Sequence, residues 1–220
     1  MAVESRANRS MTHAIRALIF DMDGTLYESD ALDAQYAEAV DGYIAERLGL
    51  DHEQARERFN AKRSELEERL GHTPTTTGTM AALGFDLDDW IAWRDARLRP
   101  EEALDRDERL RSFLCTLKSR YALAVVTNNS IEMARRTLAA IGIEDLFPHV
   151  FTIQEMGLIK PDPEIYRRAA QAIGVPPEQC LSIGDRPAID LEPAAAAGMQ
   201  TFFAAGPHDI YKLRDVLGPA

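Results

Sequence analysis

The stretch ALIFDMDGTLYES, residues 17–29, joins four consecutive apolar residues to two closely spaced aspartates and a glycine. An uninterrupted apolar run of this length is typical of a strand buried on both faces, as strands are in a parallel sheet. Four further runs of this kind follow in the chain: ALAVVTN (122–128), HVFTI (149–153), CLSIGD (180–185) and QTFFAA (200–205). The sequence therefore predicts five buried strands.

Amphipathic helical patterns separate the later runs. Apolar residues recur at spacings of three or four within residues 131–141 and 166–173, which predicts helices there. Gly142 and Gly174 follow as helix stops, and Asp162 stands before Pro163 as an N-cap would. The alternation of strand and helix predicts an α/β fold with a mostly parallel sheet and right-handed crossovers.

Residues 29–105 interrupt this alternation, because they contain helical patterns and no convincing strand. We predict two long helices and then a loop at GHTPTTTGTM (71–80). The apolar stripes of the two helices are Leu32, Tyr36, Val40, Tyr43 and Leu48, then Ala55, Phe59, Leu66 and Leu70. We interpret this stretch as a helical insertion, so that the core consists of residues 15–28 and 106–220.

Composition excludes several classes of function. A net charge of −11 opposes binding to nucleic acid or to an anionic membrane, because both are polyanions. No apolar run reaches the length of a membrane span. Residues 1–14 are polar and lack the apolar core of a secretory signal, so we expect a flexible tail. Cys115 and Cys180 lie in apolar surroundings without a metal-ligand pattern, which predicts reduced core thiols and a cytoplasmic protein.

Polar side chains cluster at the carboxyl ends of the predicted strands, where open α/β sheets bind ligands. The first run ends in DMDGT (21–25) and the second in TNN (127–129). GLIKPD (157–162) follows the third run, and the fourth ends in GDRPAID (184–190). Each segment alone is equally typical of a turn or a helix cap. Together at one sheet edge they predict a functional site.

The side chains in these segments suit phosphate chemistry. Asp21, Asp23 and Asp185 would bring together three carboxylates, whose repulsion a hard divalent cation such as Mg²⁺ relieves. Lys160 and the Thr127 hydroxyl would supply positive charge and a hydrogen bond to a phosphoryl group. A carboxylate can also accept that group covalently, which divides one difficult displacement into two.

These motifs resemble those of the haloacid dehalogenase-like hydrolase superfamily: residues 21–26, 127–128, 160–161 and 184–190, in the family's order. The resemblance implies a Rossmann-like core with a helical cap inserted at 29–105. It implies that Asp21 is a nucleophile that forms an aspartyl phosphate, and that Asp23 is the acid/base.

The resemblance also implies the remaining roles in the site. The phosphoryl group would be bound by Thr127, Asn128 and Lys160. Mg²⁺ would be held by Asp21, the carbonyl of Asp23 and Asp185, with Asp190 and Gly24 in support.

Several alternatives within the family remain open at this point. The dehalogenase branch lacks the second aspartate of the first motif, so Asp23 favours a phosphatase. TLYES (25–29) and KPDPEIY (160–166) resemble the pyrimidine 5′-nucleotidase branch, whereas Gly184 and Arg186 depart from it. We expect a small phosphorylated substrate, such as a nucleoside 5′-monophosphate or phosphoglycolate, and a monomer or homodimer. The alternatives are a sugar phosphomutase and, more remotely, a non-catalytic binding or regulatory protein.

Overall fold

The computed structural model describes residues 14–218, which divide into two compact units. The sheet unit comprises the chain up to Glu28 and from Asp105 onward, and the helical unit comprises Ser29–Leu104. The tail expected at residues 1–14 falls outside the described residues, except for Ala14.

The sheet unit is built on five parallel strands in the spatial order β3-β2-β1-β4-β5. They are β1 Ala17–Phe20, β2 Ala122–Val126, β3 His149–Phe151, β4 Cys180–Gly184 and β5 Gln200–Phe203. Each lies within one of the five apolar runs, which confirms the α/β, Rossmann-like class. The sheet is wholly parallel.

The strand register aligns the carboxyl ends of the three central strands. Phe20 at the end of β1 pairs with Val125 of β2 and with Ile183 of β4. All four residues of β1 are fully buried, as expected for the middle strand of a sheet covered on both faces. The residues that follow β1, β2 and β4 therefore emerge at the same edge.

The helical unit contains five helices: α1 Asp30–Leu48, α2 His52–Leu70, α3 Thr76–Ala82, α4 Leu87–Asp95 and α5 Pro100–Ala103. Its core is aromatic, with Tyr43 in edge-on contact with the rings of Phe85, Trp90 and Trp93 at centroid distances of 5.2, 5.3 and 5.8 Å. Aromatic packing of this kind adds to the stabilisation from buried area.

Two details of the helical unit differ from the sequence prediction. Leu48 and Leu70 are 42% and 48% exposed, because each ends its helix just before a left-handed glycine cap, Gly49 and Gly71. The stretch predicted as a loop at 71–80 becomes helical from Thr76 onward. Threonine and glycine are weak helix formers, but α3 buries Thr77, Thr79 and Met80, and this packing outweighs propensity.

Within the described residues, the sheet unit has six α-helices: α6 Glu108–Lys118, α7 Ile131–Ala140, α8 Ile153–Met156, α9 Pro163–Ile173, α10 Glu192–Ala196 and α11 Leu213–Leu217. The predicted cap of α9 is present, since the Asp162 side chain accepts the Glu164 N–H at 2.9 Å. Gly174 ends α9 with φ +75°, a conformation that glycine adopts without strain. No helix within residues 14–218 is long and apolar enough to cross a membrane.

The two cysteines lie in different environments. Cys180, the first residue of β4, is fully buried as predicted. Cys115 is exposed, so the prediction of a core thiol was wrong there. The cause is helical phase: α6 buries Leu110, Phe113, Leu114 and Leu117, and Cys115 points away from that stripe. Both thiols are free.

Candidate active site

The turn after β1 presents two aspartates. The Asp21 N–H continues the sheet by donating to the Ile183 carbonyl at 2.8 Å. The chain then winds back, with the Gly24 N–H donating to the Tyr27 carbonyl at 3.0 Å. Gly24 has φ +80°, and a Cβ there would lie 2.7 Å from the Asp185 carboxylate. The glycine therefore lets the turn approach Asp185 closely.

The end of β2 presents a buried hydroxyl. The Thr127 N–H donates to the Phe151 carbonyl at 3.0 Å, which fixes the backbone. Thr127 Oγ1 accepts the Asn129 N–H at 3.2 Å. Since a hydroxyl offers one donor as well as acceptor lone pairs, this contact leaves the Thr127 O–H able to donate to an anion.

Lys160 lies in the segment between β3 and α9 and is held there by Asn128. Asn128 Oδ1 accepts the Lys160 N–H at 2.8 Å, and Asn128 Nδ2 donates to the Lys160 carbonyl at 3.3 Å. The Lys160 side chain is buried, and its Nζ donates to Asp21 and, at 2.6 Å, to Asp190 Oδ1. The Asn128 side chain thus supports the lysine through its backbone.

Asp185 and Asp190 follow β4. Asp190 is buried within a short π-helical turn, Pro187–Leu191, of a kind that is frequent at functional sites. Its Oδ2 accepts the Arg186 N–H at 3.1 Å. A Cβ at Gly184 would lie 2.5 Å from Cβ of Asp190, so this turn leaves no room for a side chain there. The close packing explains why Gly184 stands before Asp185.

The acidic side chains converge on one point. Carboxylate oxygens of Asp21, Asp185 and Asp190 lie within 4.8 Å of one another. Thr25 Oγ1 bridges two of them, at 3.2 Å from Asp185 and 3.5 Å from Asp21. Lys160 contacts two of these three carboxylates. With all four groups ionised, the cluster and Lys160 together carry a negative formal charge.

The pKa shifts reflect this crowding. Burial raises the pKa of Asp21 well above its usual value, although Lys160 opposes the shift. The pKa of Asp185 is also raised, mainly by burial and to a smaller extent by repulsion from Asp190. For Lys160, burial favours the neutral amine, but Asp190 and Asp21 outweigh it and raise its pKa, so the ammonium form persists. The cluster is thus short of positive charge.

The donor set fits a hard divalent cation, because the clustered ligand atoms are carboxylate oxygens. Both oxygens of Asp190 already accept hydrogen bonds, from Lys160 and from Arg186, so Asp190 suits a supporting role. The side chain of Asp23 is not one of the three clustered carboxylates. It accepts hydrogen bonds from the Tyr27 hydroxyl and from Asn129 Nδ2.

The site thus brings together the residues that the sequence singled out, and it adds two that sequence reasoning missed. Tyr27 and Asn129 contact the Asp23 carboxylate, and neither was assigned a role. The only sequence signal for Asn129 was its place in the strand-end segment TNN (127–129). Its contact with the first motif depends on the sheet topology.

The haloacid dehalogenase-like hydrolase family matches residues 15–198 of this chain, a span that includes all four strand-end motifs. The chain therefore belongs to the haloacid dehalogenase-like hydrolase family.

Individual relatives agree with this assignment. Glyceraldehyde 3-phosphate phosphatase of Methanothermobacter thermautotrophicus is 30% identical over 196 residues, which cover 84% of this chain and 83% of the relative. (S)-2-haloacid dehalogenase 4A of Burkholderia cepacia is 26% identical over 194 residues, covering 87% of this chain and 83% of the relative. The crystal structure of a HAD phosphatase from Thermococcus onnurineus superposes with a TM-score of 0.62 at 22% identity, covering 93% of this chain and 98% of that one. This likeness supports the fold.

Proposed function

We propose that this protein hydrolyses the phosphomonoester of a small metabolite with the help of Mg²⁺, through an aspartyl phosphate on Asp21. One observation carries the proposal. Asp21 is a buried carboxylate in contact with the Lys160 ammonium, and it lies within an acidic cluster that is short of positive charge. A phosphoryl group needs both a nucleophile and charge neutralisation, and this arrangement offers both.

The enzyme is a haloacid dehalogenase-like phosphatase, a hydrolase of phosphoric monoesters. Its relatives include both a phosphatase and a dehalogenase, so family membership alone leaves two reactions. Asp23 supports the phosphatase reaction, because the resemblance gives dehalogenases no aspartate at this position. Its carboxylate is held two residues beyond Asp21, where an acid/base for the leaving group belongs.

The proposed reaction has two displacements. In the first, a carboxylate oxygen of Asp21 attacks phosphorus, the ester P–O bond breaks, and the leaving oxygen takes a proton from Asp23. In the second, Asp23 takes a proton from water, and the resulting hydroxyl attacks phosphorus. The P–O bond to Asp21 then breaks, which releases phosphate and restores both carboxyl groups. Lys160 and the Thr127 hydroxyl stabilise charge on the phosphoryl oxygens.

The metal ion would be held by Asp21, Asp185 and the backbone carbonyl of Asp23. Asp190 would support the site through Lys160, and Gly24 would support it by letting the first turn approach Asp185. When bound, Mg²⁺ supplies positive charge that neutralises the carboxylates and the phosphoryl oxygens.

The substrate is a small phosphorylated metabolite. Candidates are glyceraldehyde 3-phosphate, for which the 30% identical relative is named, a nucleoside 5′-monophosphate and phosphoglycolate. We propose that the helical unit, as a cap, selects among them, since a shared catalytic scaffold leaves substrate choice to its additions. The alternative hypothesis, a sugar phosphomutase, would be favoured by a cap lysine placed to bind a second phosphate. Lys62 gives it no support, because this lysine forms an ion pair with Glu65 at 2.6 Å.

The central test is Asp21→Asn, which keeps the shape of the side chain but removes the nucleophile. Turnover of an aryl phosphate in Mg²⁺ should fall by at least about 10⁴-fold, as when a covalent nucleophile is lost. A panel of phosphorylated metabolites, with release of inorganic phosphate as the readout, then ranks the substrates. Retained turnover in Asp21→Asn would contradict the covalent mechanism.

The metal is tested separately by thermal unfolding. Saturating Mg²⁺ should raise the melting temperature of the wild type, since a ligand present at about 100 times its dissociation constant adds about 2.7 kcal/mol. Asp185→Asn should show a higher melting temperature than the wild type in chelator, because one repelling charge is gone, and little further rise with Mg²⁺. An equal rise in both proteins would remove Asp185 from the metal site.

A further inference from the structure

The carboxylate of Asp23 is held at both of its oxygens. The Tyr27 hydroxyl donates to Oδ1, and Asn129 Nδ2 donates to Oδ2 at 2.8 Å. Both donors are themselves buried, with Tyr27 9% and Asn129 4% exposed. Nothing in the proposed reaction requires either side chain to touch the substrate, so their placement needs another reason.

The two donors are fixed by different strand ends. The turn after β1 holds Tyr27, whose carbonyl accepts the Gly24 N–H at 3.0 Å. Asn129 is fixed beyond β2, where its N–H donates to Thr127 Oγ1 at 3.2 Å. The next residue, Ser130, caps α7 by accepting the Met133 N–H at 3.0 Å. Each donor is thus set by backbone contacts that do not involve the Asp23 side chain.

We propose that Asn129 and Tyr27 are positioning residues that hold the Asp23 carboxylate in the orientation needed for proton transfer. The inference rests on the proposed function, in which Asp23 is the acid/base. A free aspartate side chain rotates about two bonds, whereas hydrogen bonds to both oxygens from separate donors fix both rotations. Proton transfer requires the carboxyl group to lie within hydrogen-bond reach of the leaving oxygen.

The chemistry of the donors agrees with this role. Both are neutral, so they orient the carboxylate without forming a permanent ion pair with it. By contrast, Lys160 contacts Asp21 and Asp190. The site therefore places its charged donor on the nucleophile and neutral donors on the acid/base.

The test compares two leaving groups in Asn129→Ala and Tyr27→Phe. An alkyl phosphate needs a proton donor for its departing oxygen, whereas a nitrophenyl phosphate has a stable leaving anion and needs one far less. In Asn129→Ala, we expect kcat for the alkyl phosphate to fall by about 10²-fold, the scale of a misplaced catalytic group. The aryl phosphate should lose about tenfold or less, with KM nearly unchanged for both. Tyr27→Phe should show the same pattern with a smaller loss.

A double-mutant cycle shows whether these residues act through Asp23. In an Asp23→Asn background the acid/base is absent, so adding Asn129→Ala should reduce the remaining rate by no more than about twofold, within the additivity error of such cycles. Matched controls remove a side-chain amide or a hydroxyl at the amino ends of the strands. They are Gln200→Ala and Tyr121→Phe, and both should keep the wild-type ratio of alkyl to aryl turnover.

The outcomes separate the inference from the function on which it rests. Equal losses on both leaving groups, or an undiminished effect of Asn129→Ala in the Asp23→Asn background, would overturn the positioning role. Such a result leaves the phosphatase itself intact if Asp21→Asn is inactive. An Asp23→Asn variant with full alkyl phosphatase activity would instead overturn the assignment of Asp23 as the acid/base, and with it this inference, while the protein would still be a phosphatase.

Discussion

The two units of the chain bury charged side chains in different ways. In the helical unit, buried Asp41 is paired with Arg56 at 2.7 Å, and buried Arg94 is paired with Asp95 at 2.7 Å. In the sheet unit, Lys160 contacts two aspartates of a cluster of three, and all of them lie beyond the carboxyl ends of strands.

This difference distinguishes buried charges that are paired within the fold from buried charges that would serve the proposed reaction. A buried ion pair balances its own desolvation only when the opposite charge and further hydrogen bonds compensate it. The helical unit pairs each of these two buried charges with an opposite charge from its own side chains. In the acidic cluster of the sheet unit, Lys160 faces three carboxylates, and burial raises the pKa of Asp21 although Lys160 opposes the shift. The proposed Mg²⁺ would balance this surplus of buried negative charge.

Among the changes that test this comparison, removal of Lys160 should produce the largest effect, and it tests the sheet unit. Lys160→Met keeps the length of the side chain without its charge. We expect kcat to fall by about 10²- to 10³-fold, since the loss of one preorganised donor to a developing anion costs that much. The measurement is steady-state turnover of an aryl phosphate in Mg²⁺. A variant with near-wild-type turnover would show that Lys160 is a structural counter-ion only.

Removal of Arg56 is the matched change in the helical unit. Arg56→Met leaves Asp41 buried without its partner, but Arg56 is 64% exposed and water replaces part of the interaction. We expect a loss of about 1–2 kcal/mol in free energy of unfolding, toward the lower end of the values for hydrogen bonds to charged groups because Arg56 is exposed, and unchanged turnover of an aryl phosphate.

The measurement uses the intrinsic fluorescence of the protein. Trp90 and Trp93 are the two tryptophans of the chain, and both lie in the helical unit. Urea unfolding followed by tryptophan emission therefore reports on that unit. A loss of turnover in Arg56→Met without a loss of stability would mean that this ion pair is functional, and the contrast between the units would fail.

The sheet unit was largely predictable from the sequence. Buried parallel strands give uninterrupted apolar runs, and all five were visible. The strand-end motifs were visible too, because sheets of this kind place ligand-binding residues at one edge. The parts that escaped prediction depend on contacts between distant segments. The bond from Asn129 to Asp23 joins residues 106 positions apart, and no local pattern encodes it.

The helical unit was less predictable, because several of its features depend on tertiary packing. The sequence of α3 favours a loop, and the helix forms where Thr77, Thr79 and Met80 are buried. Cys115 of the sheet unit illustrates the same limit, since an apolar neighbourhood in sequence does not fix the phase of a helix. The proposed role of the helical unit in substrate choice rests on no residue motif within residues 29–105.

The smallest effect on the free energy of unfolding is expected at Leu70, the last residue of α2. Leu66 and Leu70 lie one turn apart, but Leu66 is 4% exposed and Leu70 is 48% exposed. Leu66→Ala should lower the free energy of unfolding by about 2–5 kcal/mol, the range for a buried leucine. Leu70→Ala should change it by about 0.5 kcal/mol or less, as substitutions at exposed positions do. Both are measured by urea unfolding with tryptophan emission.

If the two variants lost similar stability, the apolar stripe inferred from the sequence would be the true core face, and Leu70 would be covered in solution. A large difference would show instead that the stripe ends at Leu66, because α2 runs past the core before Gly71 stops it.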